Sequence, residues 1–210
     1  MPITARTAAI AATVVVAAGL AATWFATQGG DKDIFAQCRK GVVAGGSAAI
    51  GGPFTLVSET GETVTEKDVI KGPSLLYFGY TYCPDVCPTE LQVMMAALGT
   101  LGPRAAEVQP IFITIDPDRD TPEVMQSYVE NFGPSLVGLT GTAEQIAQVA
   151  KAYRVYYAKS GNTKTQDYLM DHSSIIYLMG PDGHFVKHFT YTTDAAALAD
   201  GIAGAMAPSP

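Results

Sequence analysis

The sequence predicts an α/β fold, with a central mixed sheet flanked by helices. Continuous apolar runs of strand length alternate with segments of helical periodicity, as in β-α-β units. Two hairpin patterns, one near the start of the domain and one near its end, add antiparallel strands to this arrangement. The 210 residues, 48% of them hydrophobic, are enough for one domain with a substantial core.

Composition excludes several classes of protein. Thirteen basic and 20 acidic residues give a formal net charge of −7. Proteins that bind nucleic acid usually carry a basic face, so no nucleic-acid partner is expected. Three cysteines are too few for a scaffold held by disulfides, and a chain of this size does not need one.

An uncharged, apolar segment covers residues 7–28. A helix needs about 20 apolar residues to cross a hydrocarbon core of ~30 Å, so we predict one transmembrane anchor here. Arg6 precedes the segment, and the positive-inside rule then places residues 1–6 in the cytoplasm. The rest of the chain would lie on the exported, periplasmic side of the inner membrane. A signal peptide cleaved near Ala21 and Ala22 is the alternative.

Residues 29–52 are rich in glycine and predict a flexible linker, because glycine holds regular structure poorly. The folded domain is expected to cover residues 53–210. Cys38 lies in the linker and lacks the small-residue context of a lipid-attachment site. We interpret it as a free or intermolecular thiol near the membrane.

The first half of the domain predicts a hairpin, a buried strand, a helix and a second strand. The hairpin has strands at 54–57 and 63–65 around a Thr-Gly turn. Residues 74–80 are continuously apolar, as is typical of a central strand covered on both faces. A helix follows from Pro88, because proline is favourable in the first turn, and its apolar residues repeat at helical spacing to Leu101. Residues 108–115 form the second buried strand.

The second half predicts a helix, a short strand, another helix, a hairpin and a last helix. Thr121 and Pro122 are an N-cap and a first helical residue, followed by Val124, Tyr128 and Phe132 on the expected inner face. The remaining elements are a short strand at 136–139, a helix opened by the capping box of Thr142 and Gln145, an irregular excursion or extra hairpin at 156–171, a hairpin around Gly180–Gly183 and a helix at 198–206. Together with two cysteines at the first strand-to-helix junction, this order predicts a thioredoxin-like fold.

Cys83 and Cys87 are the candidate functional pair. They stand four positions apart where the central strand ends, with Cys87 next to the predicted helix N-terminus. Unpaired backbone N–H groups and the helix dipole favour a thiolate there and lower its pKa below the ~8.5 of a free thiol. Two buried thiols or a structural disulfide are the simpler interpretation, but such a position rarely serves packing alone.

The spacing favours metal binding over simple redox chemistry. Thioredoxin-type oxidoreductases have two residues between their cysteines and this chain has three, which suits two thiolates that chelate a soft metal. A third ligand is needed, and His172 precedes a buried strand that begins near the cysteine junction. Asp171 is expected to orient its imidazole. We predict that His184 and His188 are exposed turn and strand residues.

Two sulfurs and one nitrogen make a trigonal site. Cu(I) accepts three such ligands, whereas a structural zinc site requires a fourth. Cu(II) could also bind there with one or two additional ligands. The donor set therefore favours copper, as Cu(I), Cu(II) or both.

Three motifs together resemble the Sco/SenC family: Phe78-Gly-Tyr-Thr-Tyr-Cys-Pro-Asp-Val-Cys-Pro-Thr-Glu-Leu91, Ile115-Asp-Pro-Asp-Arg-Asp-Thr-Pro122, and Asp171-His-Ser-Ser with Gly180-Pro-Asp-Gly183. The resemblance implies a membrane-anchored, thioredoxin-fold copper protein that serves assembly of the CuA centre of cytochrome c oxidase. It places the copper ligands at Cys83, Cys87 and His172. Asp116 and Asp118 fall in the family's acidic loop and are not assigned as ligands. Tyr82 stands where many members have a histidine.

Two functions are compatible with these residues. The first is a copper metallochaperone that receives copper from an upstream donor and passes it to the oxidase subunit carrying the CuA site. The second is a thiol-disulfide reductase that keeps the cysteines of that subunit reduced, with Cys83 and Cys87 as its redox pair. A peroxidase is disfavoured because no peroxidatic motif surrounds the cysteines.

Overall fold

The computed structural model describes residues 50–163, 165 and 167–206. The chain divides into two units, residues 1–47 and 48–210, and every described residue belongs to the second. The predicted anchor at 7–28, the linker up to residue 49 and Cys38 lie outside the described residues. Within the described part of the chain, no helix combines the length and the apolar character that a membrane crossing requires.

Nine strands and five α-helices are present among the described residues. The strands are β1 (Thr55–Ser58), β2 (Thr63–Thr65), β3 (Ser74–Gly79), β4 (Gln109–Thr114), β5 (Val137–Thr140), β6 (Tyr157–Ser160), β7 (Leu169–His172), β8 (Ile175–Met179) and β9 (Phe185–Thr190). The helices are α1 (Glu66–Val69), α2 (Val86–Thr100), α3 (Pro122–Val129), α4 (Ala143–Ala152) and α5 (Ala195–Ala205), with 3₁₀ turns at Gly102–Glu107 and Glu130–Phe132.

Seven strands form one mixed sheet in the order β2-β1-β5-β4-β3-β8-β9. The three central strands β3, β4 and β5 run parallel, and β1, β8 and β9 each pair antiparallel with a neighbour. Strands β6 and β7 pair only with each other, as a separate two-stranded hairpin. The mixed sheet with flanking helices, the N-terminal hairpin and the extra hairpin within 156–171 are confirmed.

The core lies on both faces of β3. All six residues of this strand are buried, which requires cover on both sides of the sheet. Helix α2 contributes Leu91, Met94 and Leu98 at helical spacing, and α5 packs against α2 with Leu198 and Ile202. The apolar periodicity of the sequence therefore identified the buried faces of these two helices.

Two details of the helices differ from the prediction. Helix α2 begins at Val86 rather than at Pro88, so Pro88 is its third residue. The first N–H groups of a helix have no intrahelical acceptor, which lets proline sit at the third position as easily as at the first. In α3 the fully buried residues are Met125 and Val129, whereas Val124 is exposed, so the centre of the inner face lies one position later than predicted. The predicted Tyr128 and Phe132 are partly buried and pack against the core.

The capping signals are confirmed. The Thr121 hydroxyl accepts from the Val124 N–H, and Thr142 and Gln145 form a reciprocal capping box. Such hydrogen bonds satisfy backbone donors that no helical carbonyl can reach.

Candidate metal centre

The topology of the sheet brings the two cysteines and His172 to one edge. Strand β3 ends at Gly79 beside Thr114, the last residue of β4. Strand β8 runs antiparallel to β3, with Ile176 opposite Tyr77, so β8 begins at the edge where β3 ends. Residues that follow β3 and residues that precede β8 must therefore meet there. Cys83 and Cys87 follow β3, and His172 is the last residue of β7, three positions before β8.

Cys83, Cys87 and His172 form a cluster whose ligand atoms all lie within 4.8 Å of one another. The Cys87 Sγ lies 3.4 Å from the His172 Nε2. Cys87 is buried and Cys83 and His172 are partly exposed, so the cluster is reached from the surface past these two residues. In the part of the chain that the structure describes, no other group of three His, Cys, Asp or Glu residues could hold a metal ion.

Backbone geometry fixes the orientation of the histidine ring. The Nδ1–H donates to the Ser173 carbonyl oxygen at 3.1 Å, which leaves the Nε2 lone pair directed at the cysteines. The prediction that Asp171 orients the ring is wrong. Asp171 is exposed on β7, where side chains alternate between faces, so its carboxylate points away from its neighbour's imidazole.

The two thiols have opposite protonation preferences. The Cys87 thiol donates to Cys83 and lowers the pKa of Cys83. The neighbouring His172 ring and the Asp85 and Cys87 backbone lower this pKa further, against the opposing effect of burial. The Cys87 N–H, at the start of α2, lies 3.4 Å from the Cys83 Sγ. The same pairing, together with burial, raises the pKa of Cys87. The expected thiolate at the helix N-terminus is therefore Cys83, not the cysteine inside the helix.

Three residues that the sequence did not single out shape this site. A Cβ on Gly79 would lie 2.8 Å from the Cys87 Sγ and 2.9 Å from a Phe112 ring carbon, so only glycine lets the thiol approach the strand. The rings of Tyr77 and Tyr80 meet the His172 ring edge-on, with centroids at 6.3 Å and 6.0 Å. Both tyrosines belong to the apolar run of the central strand, and nothing in that run distinguishes them from ordinary core residues.

Other candidate residues of the sequence lie outside the cluster. Asp116 pairs with Arg119 and accepts from the Tyr168 hydroxyl at 2.7 Å, and Asp118 pairs with Lys159. Both carboxylates therefore have partners of their own, in agreement with leaving them out of the ligand set. His184 and His188 are exposed at the β8–β9 hairpin, as predicted. Tyr82 is 58% exposed beside Cys83.

The donor set suits a soft, low-coordination metal. Both cysteines are free thiols, and a thiolate pair with one neutral imidazole matches the preference of Cu(I). No aspartate or glutamate joins the cluster among the described residues, so a hard cation that prefers oxygen would find no ligand set there. The same arrangement also fits dithiol chemistry, because the partly exposed Cys83 has the lowered pKa and the buried Cys87 lies beside it.

The family model described as SCO1/SenC matches residues 43–207. The protein SenC of Rhodobacter capsulatus is 46% identical over 206 residues, which cover 96% of this chain and 91% of that protein. The human mitochondrial SCO1 homolog is 46% identical over 165 residues, and the match covers 78% of this chain but 55% of the human protein.

Solved structures agree with these matches. A crystal structure of Arabidopsis thaliana ScoI with copper bound is 45% identical, with a TM-score of 0.71 over 75% of this chain and 98% of that one. A crystal structure of yeast Sco1 with copper bound is 42% identical, with a TM-score of 0.69 over 74% of this chain and 87% of that one. Both similar proteins hold copper, the metal that the Cys-Cys-His donor set favours.

Proposed function

This chain belongs to the SCO1/SenC family, and from that membership we propose that it is a copper metallochaperone serving the CuA centre of cytochrome c oxidase. Cys83, Cys87 and His172 are the proposed copper ligands. The observation that carries the proposal is their convergence within 4.8 Å, from two segments separated by 85 residues of sequence. The copper bound in similar structures supports it.

The arrangement suits copper that must be bound and then released. Two sulfurs and one nitrogen satisfy Cu(I) without a closed shell of four ligands. Cys83 is partly exposed, so a thiol of an acceptor protein can reach the metal from that side and replace one ligand at a time. The buried Cys87 and the oriented His172 imidazole would hold the copper while the exposed side exchanges. We propose the oxidase subunit that carries the CuA site as the acceptor.

Residues 7–28 are the proposed membrane anchor, with the copper-binding domain on the periplasmic side of the inner membrane. The length and lack of charge of this segment support the proposal, as does Arg6 in front of it. The upstream copper donor is a partner that this function requires.

A second function is favoured by the contrast between the two thiols. Cys83 has a lowered pKa and partial exposure, and Cys87 is buried with a raised pKa, as expected of an attacking and a resolving thiol. The Cys83 thiolate would attack an acceptor disulfide and release one acceptor thiolate. Cys87 would then attack the Cys83 sulfur and release the second. Two electrons pass to the acceptor, and its sulfurs take up the protons. A dithiol reductant must then reduce the resulting Cys83–Cys87 disulfide to return both cysteines to thiols.

Replacing the histidine separates the two functions. His172→Ala removes one of three proposed copper ligands and leaves both cysteines and the start of α2 in place. Cu(I) affinity, measured by competition with a chelator, should fall by more than the ~10–100-fold that loss of an outer hydrogen-bond partner costs. Reduction of a model disulfide should largely persist, since exchange needs only the two thiols and Cys87, which lowers the Cys83 pKa more than His172 does, remains in place. Oxidation to the Cys83–Cys87 disulfide should abolish the binding of one copper per chain.

The exposed His188 provides the matched control. His188→Ala removes an imidazole from β9 and should change neither copper affinity nor disulfide reduction. Full delivery of copper to the oxidase by the His172→Ala protein would contradict the metallochaperone and leave the reductase as the function. Copper retained by the oxidised protein would place the metal elsewhere than at the cysteine pair.

A further inference from the structure

We propose that Arg119 is a positioning residue that holds His172 at the cysteine pair. It does so by joining the β6–β7 hairpin to the segment between β3 and α2. The inference rests on the proposed copper function and extends it to a residue that lies outside the ligand set.

The proposed ligands stand on two segments that no strand pairing joins. Cys83 and Cys87 follow β3 of the seven-stranded sheet, and His172 ends β7. Strand β7 pairs only with β6, so the hairpin is not hydrogen-bonded into the main sheet. A two-stranded hairpin has little stability of its own. The pairing of β8 with β3 brings the end of β7 near the cysteines, and the contacts that dock this hairpin on the rest of the domain then determine the exact place of His172.

Arg119 makes those contacts from the loop between β4 and α3. Its guanidinium carbon lies 3.8 Å from the centre of the Tyr168 ring, and its Nη1–H donates to the Tyr168 carbonyl oxygen at 2.9 Å. Tyr168 is buried and immediately precedes β7. Arg119 thus contacts both the ring and the backbone of Tyr168, which precedes the strand that ends at His172.

The same guanidinium reaches the cysteine segment. It lies 4.8 Å from the centre of the Tyr82 ring, the residue before Cys83, and 5.7 Å from the centre of the Tyr80 ring. The Tyr80 ring meets the His172 ring edge-on. Arg119 is therefore in contact with both segments, and Tyr80 lies between it and the histidine.

Asp116 fixes the orientation of the guanidinium. One carboxylate oxygen of Asp116 accepts from the Arg119 Nε–H, and the other accepts from the Tyr168 hydroxyl at 2.7 Å. The side chains of Asp116 and Arg119 are 1% and 10% exposed, so this ion pair is shielded from water. A lysine could keep the charge, but its ammonium is not planar and cannot donate to Asp116 and Tyr168 while stacking on the ring.

The test is a double-mutant cycle on Cu(I) affinity, measured by chelator competition with the reduced full-length protein. Arg119→Lys should weaken Cu(I) binding about 10-fold in the presence of His172, as expected when a residue that orients a ligand is lost. In the His172→Ala protein the same change should have no further effect, because Arg119 acts through His172. Tyr168→Phe, which keeps the stacked ring and removes only the hydroxyl, should show the same pattern with a smaller loss.

Lys159→Gln is the matched control. Lys159 also lies over the Tyr168 ring, at 4.4 Å, and pairs with Asp118 of the loop that carries Arg119. This ion pair is exposed and therefore contributes little to docking, and Lys159 makes no contact with the Cys83 segment among the described residues. Its replacement should leave Cu(I) affinity unchanged.

Hydrogen exchange in the metal-free protein gives a readout independent of copper. Arg119→Lys should speed exchange of the amides paired between β6 and β7 and leave those of β3 and β4 unchanged. If the Arg119→Lys protein does not fold, Cu(I) affinity and hydrogen exchange are both measured on the Tyr168→Phe protein.

The outcomes are distinguishable from those of the proposed function. Equal Cu(I) affinity of the wild-type and His172→Ala proteins would contradict the proposed ligand set. A strong effect of His172→Ala with no effect of Arg119→Lys and Tyr168→Phe would overturn only the positioning role. Equal losses with and without His172 would overturn it too, because Arg119 would then act on the thiols. Unchanged exchange in the hairpin would contradict the docking itself.

Discussion

At the scale of single residues, the site depends on an unequal pair of cysteines. Cys83 is partly exposed and accepts from the Cys87 thiol and the Cys87 backbone N–H, whereas Cys87 is buried beneath it. These hydrogen bonds stabilise the Cys83 thiolate and therefore lower its pKa. Cys87 therefore accounts for much of the lowering of the Cys83 pKa.

This predicts the pH dependence of alkylation in the reduced, metal-free protein on a Cys38→Ser background. Since only the thiolate reacts, the rate at Cys83 should rise with pH through a midpoint well below the ~8.5 of a free thiol. Cys87 should remain unmodified in the native state, as peptide mass spectrometry would show. Cys87→Ala removes the largest stabilising hydrogen bond and should move the Cys83 midpoint upward. A midpoint at 8.5 or above in the parent protein, or modification of Cys87 first, would contradict this assignment.

The proposed ligands of the site could be predicted from the sequence, but the contacts that orient them could not. Two cysteines at a strand-to-helix junction and a histidine before a buried strand follow from element order, because the sheet brings those ends together. The hydrogen bond from the His172 Nδ1–H to the Ser173 carbonyl does not follow from element order, since it depends on the local turn after β7. The contacts of Arg119 with Tyr80, Tyr82 and Tyr168 could not be predicted from the sequence either, because they join three segments that are distant along the chain.

At the scale of elements, the site requires a close approach of β3 to the first turn of α2. Gly79 ends β3, and a Cβ there would lie 2.8 Å from the Cys87 Sγ. Gly79→Ala should therefore displace the thiol and lower the free energy of unfolding by about 1–3 kcal/mol, the usual cost of overpacking. It should also weaken Cu(I) binding, because one proposed ligand moves. Chemical denaturation and chelator competition measure the two effects.

Gly99→Ala is the control within the same pair of elements. Gly99 is exposed in α2, and a Cβ there would have no atom within 4 Å. Alanine is favoured over glycine in a helix, so this change should raise stability by about 0.5–1 kcal/mol and leave copper affinity unchanged. Equal effects of the two substitutions would show that the approach of β3 to α2 does not set the position of Cys87.

Elements were predictable where local sequence determines them. The capping residues Thr121 and Thr142 and the turn at Gly180–Gly183 gave helix and hairpin positions that the structure confirms. Helix α2 begins two residues before the predicted start, because proline marks the first turn of a helix but not which position in that turn it occupies. The β6–β7 hairpin could be anticipated only as an excursion or an extra hairpin, because its segment is mostly polar. Its docking combines the buried Tyr168 and Met170 with the contacts of Arg119, which the sequence pattern does not indicate.

At the scale of the whole molecule, the chain combines two parts of contrasting composition. Residues 7–28 carry no charged side chain, whereas the domain from residue 53 onward is acidic and contains the Cys-Cys-His cluster. A copper carrier that serves a membrane-bound oxidase gains from an anchor, because confinement to the same surface raises the effective concentration of the partner. The linker at 29–52 would then set how far the cluster can reach from the membrane.

We therefore predict that the chain crosses the membrane once, with its C-terminal domain on the exported side. A reporter fused after Pro210 should be active only on the exported side, and the protein should stay in the membrane pellet after carbonate washing. Val16→Arg places a charge near the middle of the segment, which costs about 2.5–3.5 kcal/mol in a spanning helix, and should shift protein out of the pellet. Thr27→Arg, at the end of the segment, should not, because a long cationic side chain there reaches the interface. A soluble product beginning between Ala21 and Asp31 would instead show that the segment is a cleaved signal, with the copper-binding domain released on the same side of the membrane.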